Sequence, residues 1–199
     1  MTNDLTSKSK REKAVFGIAG HSGMGKTTLL ECLIPELVSR GLKVSLIKHS
    51  HKSIEIDRPG KDSFRLRVSG CKEVLLLGNE RWALMHELRG EDEPPLDYLL
   101  ERLQHCDMVL IEGFKNGDFP KLEVWRSQLD RTLLWPEWPG IIGIASDGPP
   151  AEGATPTHDL PIPWLRLDDI QAIADFVMAN ARKISAPAAD VTAVAEVRT

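Results

Sequence analysis

Gly20-His21-Ser22-Gly23-Met24-Gly25-Lys26-Thr27 fits the pattern G-x-x-x-x-G-K-[ST], and what flanks it decides the fold. The apolar run before it, residues 14–19 (AVFGIA), reads as a buried strand. A helix follows from about residue 26 to residue 40, with Leu29, Leu30, Leu33, Ile34, Leu37 and Val38 in one stripe at helical period. Strand, glycine-rich turn and helix start are the context in which this pattern cradles phosphate. The glycines let successive N–H groups turn inward toward phosphate oxygens, and the helix N-terminus adds partial positive charge. Lys26 supplies a full charge to the β- and γ-phosphates, and the Thr27 hydroxyl is a hard oxygen ligand for Mg²⁺. Pro35 predicts a kink or local irregularity within the helix, and Gly41 predicts its stop.

Further strands are expected at residues 43–47, 108–111, 121–125, 141–145 and 164–167. Helices are expected at residues 62–69, from Leu96 after Pro94-Pro95, and at 168–182 with Asp168 as N-cap. Runs 73–77 and 81–85 flank Gly78-Asn79, the signature of a two-residue hairpin turn. The alternation predicts an α/β chain: a three-layer P-loop nucleotide-binding fold with a mainly parallel sheet and an inserted antiparallel hairpin. Residues 1–13 read as a flexible leader, 14–184 as the domain, and 185–199 as a flexible tail.

The formal net charge of -4 argues against general affinity for nucleic acid or an anionic membrane surface. No apolar run approaches the roughly 18 residues of a membrane span, and the polar first residues do not read as a signal peptide. Cys32, Cys71 and Cys106 show no C-x-x-C spacing, which fits a reducing cytoplasm rather than a disulfide framework or thiolate zinc site. Cys71 and Cys106 are expected as small buried hydrophobes.

A P-loop works with an acid at the end of a neighbouring strand. Asp107 and Glu112 bracket the run MVLI, and ligands sit at the carboxyl ends of parallel strands. Glu112 is therefore the candidate to hold Mg²⁺ or orient water, and Lys115 reads as a solvated lysine. The polar loop 48–63 emerges at the same edge, with Lys48 and Lys61 suited to anions and Asp57 or Asp62 to metal. Asp62 equally suits a helix start. His49 and His51 alone make a poor metal site. Asp147 follows another strand; a carboxylate there would accept guanine N1–H and N2–H and repel adenine N1, or would simply shape a turn before Gly148. Four of the five tryptophans, Trp125, Trp135, Trp138 and Trp164, lie in the second half and suit a core or a subunit interface.

Five stretches together resemble one family. They are GHSGMGKTTLLECLIPEL (20–37), LIKHSHKSIEIDRPGKDSFRLRVSG (46–70), MVLIEGFK (108–115), PKLEVWR (120–126) and IIGIASD (141–147). They resemble the molybdopterin-guanine dinucleotide biosynthesis adaptor proteins, MobB, and the PGKDS and EGFK segments are specific to that family within the P-loop class. The resemblance implies GTP and Mg²⁺ as ligands, weak GTPase activity and a homodimer. It implies a role beside MobA, the guanylyltransferase that attaches GMP to molybdopterin, with molybdopterin itself a further candidate partner. By position, it places the phosphate loop at Gly20, His21, Ser22, Gly23, Met24, Gly25, Lys26, Thr27 and Thr28. The second loop, with Lys48, His49 and Asp57, runs over 48–63, Glu112 is the strand-end acid, and Ser146-Asp147 lies near the base. Lys52 stands where the family often has histidine, which weakens any histidine-cluster role there, and Ser69-Gly70-Cys71 departs in a way that concerns packing. Rival readings are a small-molecule kinase using Arg58, Arg65 and Arg67, an adaptor that uses nucleotide only to set its shape, and a nickel- or cobalt-handling GTPase.

Overall fold

The computed structural model describes residues 12–50, 54–115, 117–129, 131–135, 137–148 and 162–185. Its elements, in chain order, are β1 (Glu12–Ala19), α1 (Lys26–Ser39), β2 (Val44–Lys48), α2 (Asp62–Val68), β3 (Glu73–Leu77), β4 (Trp82–His86), α3 (Leu96–Arg102), β5 (Met108–Glu112), β6 (Lys121–Trp125), β7 (Ile141–Ser146), β8 (Trp164–Arg166), α4 (Ile170–Asn180) and β9 (Arg182–Ser185). They form two compact units, residues 50–95 and the remainder. The expected leader and tail fall almost wholly outside the described residues, although β1 starts at Glu12 and so takes in the last two leader positions.

In the larger unit the strands run in the order β2-β5-β1-β6-β7-β8, all parallel. Alternation along β1 sets the layers. Phe16 and Ile18 join Leu29, Leu30, Leu33 and Leu37 of α1 and Ile173, Ala174 and Val177 of α4 in one core. Val15 faces a second core with Val109, Ile111, Leu100 of α3 and Cys106. The result is the three-layer P-loop α/β fold, its sheet covered on both faces as parallel sheets require. Helix α1 runs unbroken through Pro35 and ends in a Schellman arrangement, Leu42 N–H bonding to Leu37 O and Gly41 N–H to Val38 O. Val38, expected in its buried stripe, is exposed.

Two departures concern the chain's last elements. The N-cap of α4 is Asp169, which accepts the Ala172 N–H at 3.0 Å, while Asp168 pairs with Arg166. The helix also stops at Asn180, and β9 pairs antiparallel with β1. Since β5 lines the other side of β1, β9 takes the amino-terminal half of the edge whose carboxyl-terminal half β6 takes. Lys13 is buried beside this join, its ammonium donating to the Leu100 and Leu103 carbonyls at 3.1 and 2.8 Å. Those acceptors lie at the C-terminal end of α3, where a cation is favoured.

The smaller unit holds α2 and the antiparallel pair β3–β4. Leu77 pairs with Trp82 and the Gly78 N–H donates across to the Arg81 carbonyl at 3.0 Å, so the two residues at the tip are Asn79-Glu80, one position beyond the expected Gly78-Asn79. Asp62 stands in the first turn of α2 with Lys61 at the N-cap position. Cys71 is exposed, contrary to expectation, whereas Cys106 is buried as expected. Arg67 organises the unit, donating to both oxygens of the buried Asp57 and to Glu87 and Glu55.

Candidate functional site

The parallel register brings the strand ends of the larger unit to one rim. Lys48 of β2, Glu112 of β5 and Ile18 of β1 lie level across the sheet, and the glycine-rich loop starts two residues beyond Ile18. On the other side of β1, Trp125, Ser146 and Arg166 end level with one another. Glu112 and Lys26 therefore share a rim, as a phosphate site requires.

Local chemistry shapes the loop. Gly20 has φ +137°, and a Cβ there would lie 2.5 Å from the Val124 carbonyl oxygen, so only glycine fits. The Met24 side chain is fully buried in the α1 core and pins the loop from below, which leaves its backbone as the part that faces a ligand. Gly25, at φ +92°, begins α1 without any side-chain cap, and the first turn carries no acid. The leading N–H groups of α1, at Lys26, Thr27 and Thr28, thus have no helical acceptor and are free to meet an anion. His21 is held outside the loop by its Nε2, 3.1 Å from the Thr132 carbonyl. Ser22 and Gly23 are exposed.

Four functional groups meet at the rim. The Lys26 ammonium donates to the Gly20 and His21 carbonyls, each at 2.9 Å, bridging the mouth of the loop. Burial pulls its pKa below the usual lysine value; Glu112 opposes this shift and Lys48 adds to it. Lys48 Nζ lies 3.3 Å from Thr27 Oγ1 and 3.1 Å from Glu112 Oε2. That Oε2 is buried and accepts no well-directed hydrogen bond, so it keeps a lone pair unmet. His49 donates its backbone N–H to the Glu112 carbonyl at 2.8 Å, and its ring packs on Phe114 with centroids 4.7 Å apart. The ammonium of Lys115, expected to be solvated, lies 5.6 Å from the Trp138 ring centre.

Asp147 lies at the end of β7, on the rim of a cavity of about 720 Å³ that Arg126, Trp164, Arg166 and Asp168 also line. Its Oδ1 accepts the Ser127 N–H at 2.9 Å and the Ser127 hydroxyl at 3.0 Å, and its Oδ2 accepts Arg126 Nη1 at 3.2 Å. Burial raises the Asp147 pKa, but the Ser127 amide, Arg126 and the Ser127 hydroxyl together hold it below the usual carboxylate value.

Asp57 belongs to the smaller unit. There Arg67 holds its carboxyl below the usual range and meets both oxygens, so it is satisfied without a metal. Of the residues expected to bear on a polyphosphate from loop 48–63, the larger unit contains Lys48 and His49. Among the described residues no group of three or more His, Cys, Asp or Glu converges as a metal site.

Sequence reasoning passed over two residues. Arg126 closes the stretch PKLEVWR, yet an arginine after a strand carries no motif. Glu123, fully buried on β6, accepts the Leu134 N–H at 2.7 Å and the Trp135 N–H at 2.9 Å and so fixes the segment that meets His21. Burial raises its pKa above the usual value, against those two amides, which lower it.

Residues 15–147 match the family model described as molybdopterin guanine dinucleotide synthesis protein B, MobB. The chain belongs to the MobB family. It is 40% identical over 166 residues to the molybdopterin-guanine dinucleotide biosynthesis adapter protein of Haemophilus influenzae, a match covering 82% of this chain and 86% of that one. The Escherichia coli protein of the same name is 36% identical over 175 residues, covering 82% and 91%. The fold also matches a crystal structure of a molybdopterin-guanine biosynthesis protein B with a TM-score of 0.63 and 24% identity, covering 83% of this chain and 98% of that chain. The loop, the strand-end Glu112 and the Ser146-Asp147 pair all lie within the matched MobB region. Among the described residues of this MobB chain, no helix is long and apolar enough to cross a membrane.

Proposed function

We propose that this MobB chain binds GTP with Mg²⁺, hydrolyses it slowly, and as an adapter assists the conversion of molybdopterin to its guanine dinucleotide form. The adapter role rests on family membership and on the adapter proteins among its relatives. The observation that carries the nucleotide reading is the convergence of Lys26, Thr27, Lys48 and Glu112 at the mouth of the loop. Lys26, Glu112 and the uncapped amides of α1 are then the groups that bear on the β–γ bridge.

The residues suit magnesium. Thr27 Oγ1 and the unmet Glu112 Oε2 are both hard oxygens, and one cationic group, the Lys48 ammonium, already lies within 3.3 Å of both. A bound ion would neutralise phosphate charge there. Asp147 is the proposed guanine reader. Turnover is expected to be slow, because among the described residues no strong general base stands at the rim. The kinase alternative called on Arg67, which is instead engaged by Asp57, Glu87 and Glu55.

A homodimer is supported by the smaller unit, where Leu75, Leu77 and Trp82 are 60, 80 and 53% exposed. Contiguous apolar surface of this kind marks an interface. The partners proposed are MobA, the guanylyltransferase, and molybdopterin, in the cytoplasm. The test is a titration of wild type and Lys26→Ala with GTP. Loss of a charge-assisted contact weakens binding by about 100-fold, and equal affinity for the two proteins refutes the nucleotide reading.

A further inference from the structure

Asp147 and Arg126 form one recognition unit, and its free valences differ from those of a lone carboxylate. A carboxylate offers about four lone-pair sites, two on each oxygen. Ser127 fills both sites on Oδ1 through its amide and hydroxyl, and Arg126 Nη1 fills one on Oδ2. One acceptor site therefore remains, on Oδ2. Arg126 Nη1 carries two N–H groups, of which Asp147 takes one, so a donor stands directly beside that acceptor.

Arg126 is also seated on the phosphate loop. Its Nε donates to the Met24 carbonyl at 3.3 Å, and a Cβ at Gly25 would come within 3.1 Å of its Nη2. The same guanidinium thus touches the loop that would hold the phosphates and the carboxylate that would read the base. Both residues line the cavity beside the loop.

We propose that the Arg126–Asp147 pair reads guanine as a donor beside an acceptor, Arg126 Nη1–H to O6 and Asp147 Oδ2 to N1–H, and that the 2-amino group is not read by Asp147. This rests on the GTP reading above and changes its chemistry: two acceptor bonds from Asp147 to N1–H and N2–H would require Ser127 to let go of Oδ1. Adenine reverses the pattern, offering a donor at N6 and an acceptor at N1. Both contacts then fail together, which is the strongest form of rejection.

Inosine triphosphate separates the two modes, because it keeps O6 and N1–H and lacks the 2-amino group. Wild-type protein is titrated with GTP, inosine triphosphate, ATP and inorganic tripolyphosphate, each with Mg²⁺. The pair predicts inosine triphosphate binding within about threefold of GTP, with ATP weaker by about 100-fold, the scale of a lost bidentate base contact. Inosine triphosphate weaker than GTP by tenfold or more overturns the proposal and restores the two-acceptor mode. Arg126→Ala is expected to lower GTP and inosine triphosphate affinity about tenfold each and leave tripolyphosphate within twofold, which also reports that the loop is intact. Equal loss for all three ligands makes Arg126 a prop of the loop and refutes its reading role. Tripolyphosphate binding with no preference of GTP over ATP in wild type removes the guanine reading itself, and this proposal with it.

Discussion

Strands β5 and β3 are near-equivalent as text and opposite in fate. Met108–Glu112 (MVLIE) is buried at every position, while Glu73–Leu77 (EVLLL) exposes Leu75, Leu76 and Leu77. Strand β5 sits between β2 and β1 with helices on both faces, so each leucine-type side chain finds a neighbour. Strand β3 has one partner, β4, which is itself largely exposed. An apolar run reports a demand for cover, and the surrounding topology decides what provides it. In β5 the chain's own helices provide it; in β3 the demand is left standing, which is why a second copy of the chain is proposed there.

The sharpest way to test that contrast is to replace one leucine of each kind. Leu110→Ala is expected to lose about 3 kcal/mol of unfolding free energy, since its side chain is fully buried and leaves a cavity. Urea denaturation measures this, and a loss below about 1 kcal/mol would mean that the core is loose there. Leu77→Asp is expected to weaken self-association by about 100-fold, through an unpaired charge placed in an apolar contact. Sedimentation equilibrium reads it directly; unchanged association would show that the hairpin is covered by something other than a second copy. Within the larger unit, Glu112→Gln should reduce the Mg²⁺-dependent tightening of GTP binding by about tenfold, the worth of one charged oxygen ligand. Wild-type metal dependence would move the acid's role elsewhere.

An effect of similar size, on stability rather than binding, is expected at Glu123. Its pKa in the folded chain stands above the ordinary value of 4.5, so between those values the native state binds more protons than the unfolded chain. Stability therefore falls as pH rises through that window. Glu123→Gln should flatten this slope and lower stability by about 1–2 kcal/mol, because one amide oxygen replaces two acceptors and leaves the Leu134 or Trp135 N–H unpaired. A slope unchanged from wild type, in denaturation series run from acid to neutral pH, would show that Glu123 does not titrate in that range.

The strand, glycine-rich turn and helix around Gly20–Thr27 were legible because their pattern is local: eight consecutive residues carry the glycines, the lysine and the hydroxyl, and β1 and α1 flank them as expected. The position of Glu112 at the carboxyl end of its strand was legible because strand direction alone separates it from Asp107. The failures share the opposite property. Strand β9 is four residues, RKIS, whose only reason to be extended is a partner some 170 positions earlier. Asp168 and Asp169 are adjacent acids, and Arg166 two residues back decides which of them is free to cap α4. Arg126 gains meaning only where Met24 and Asp147 come together around it. The hairpin turn moved one position on because Gly78 pairs with Arg81 across the strands, which leaves Asn79-Glu80 at the tip.

The join of β9 to β1 has a consequence for how the protein is made. Translation proceeds from the amino end, so the strand that leads into the glycine-rich loop leaves the ribosome early. Its neighbour at Arg182–Ser185 is synthesised last among the described elements. At roughly 5–20 residues per second, the first of these segments waits on the order of ten to thirty seconds for the other. During that interval one stretch of its backbone edge has only water to bond, and the nascent chain must stay unaggregated until its own end arrives.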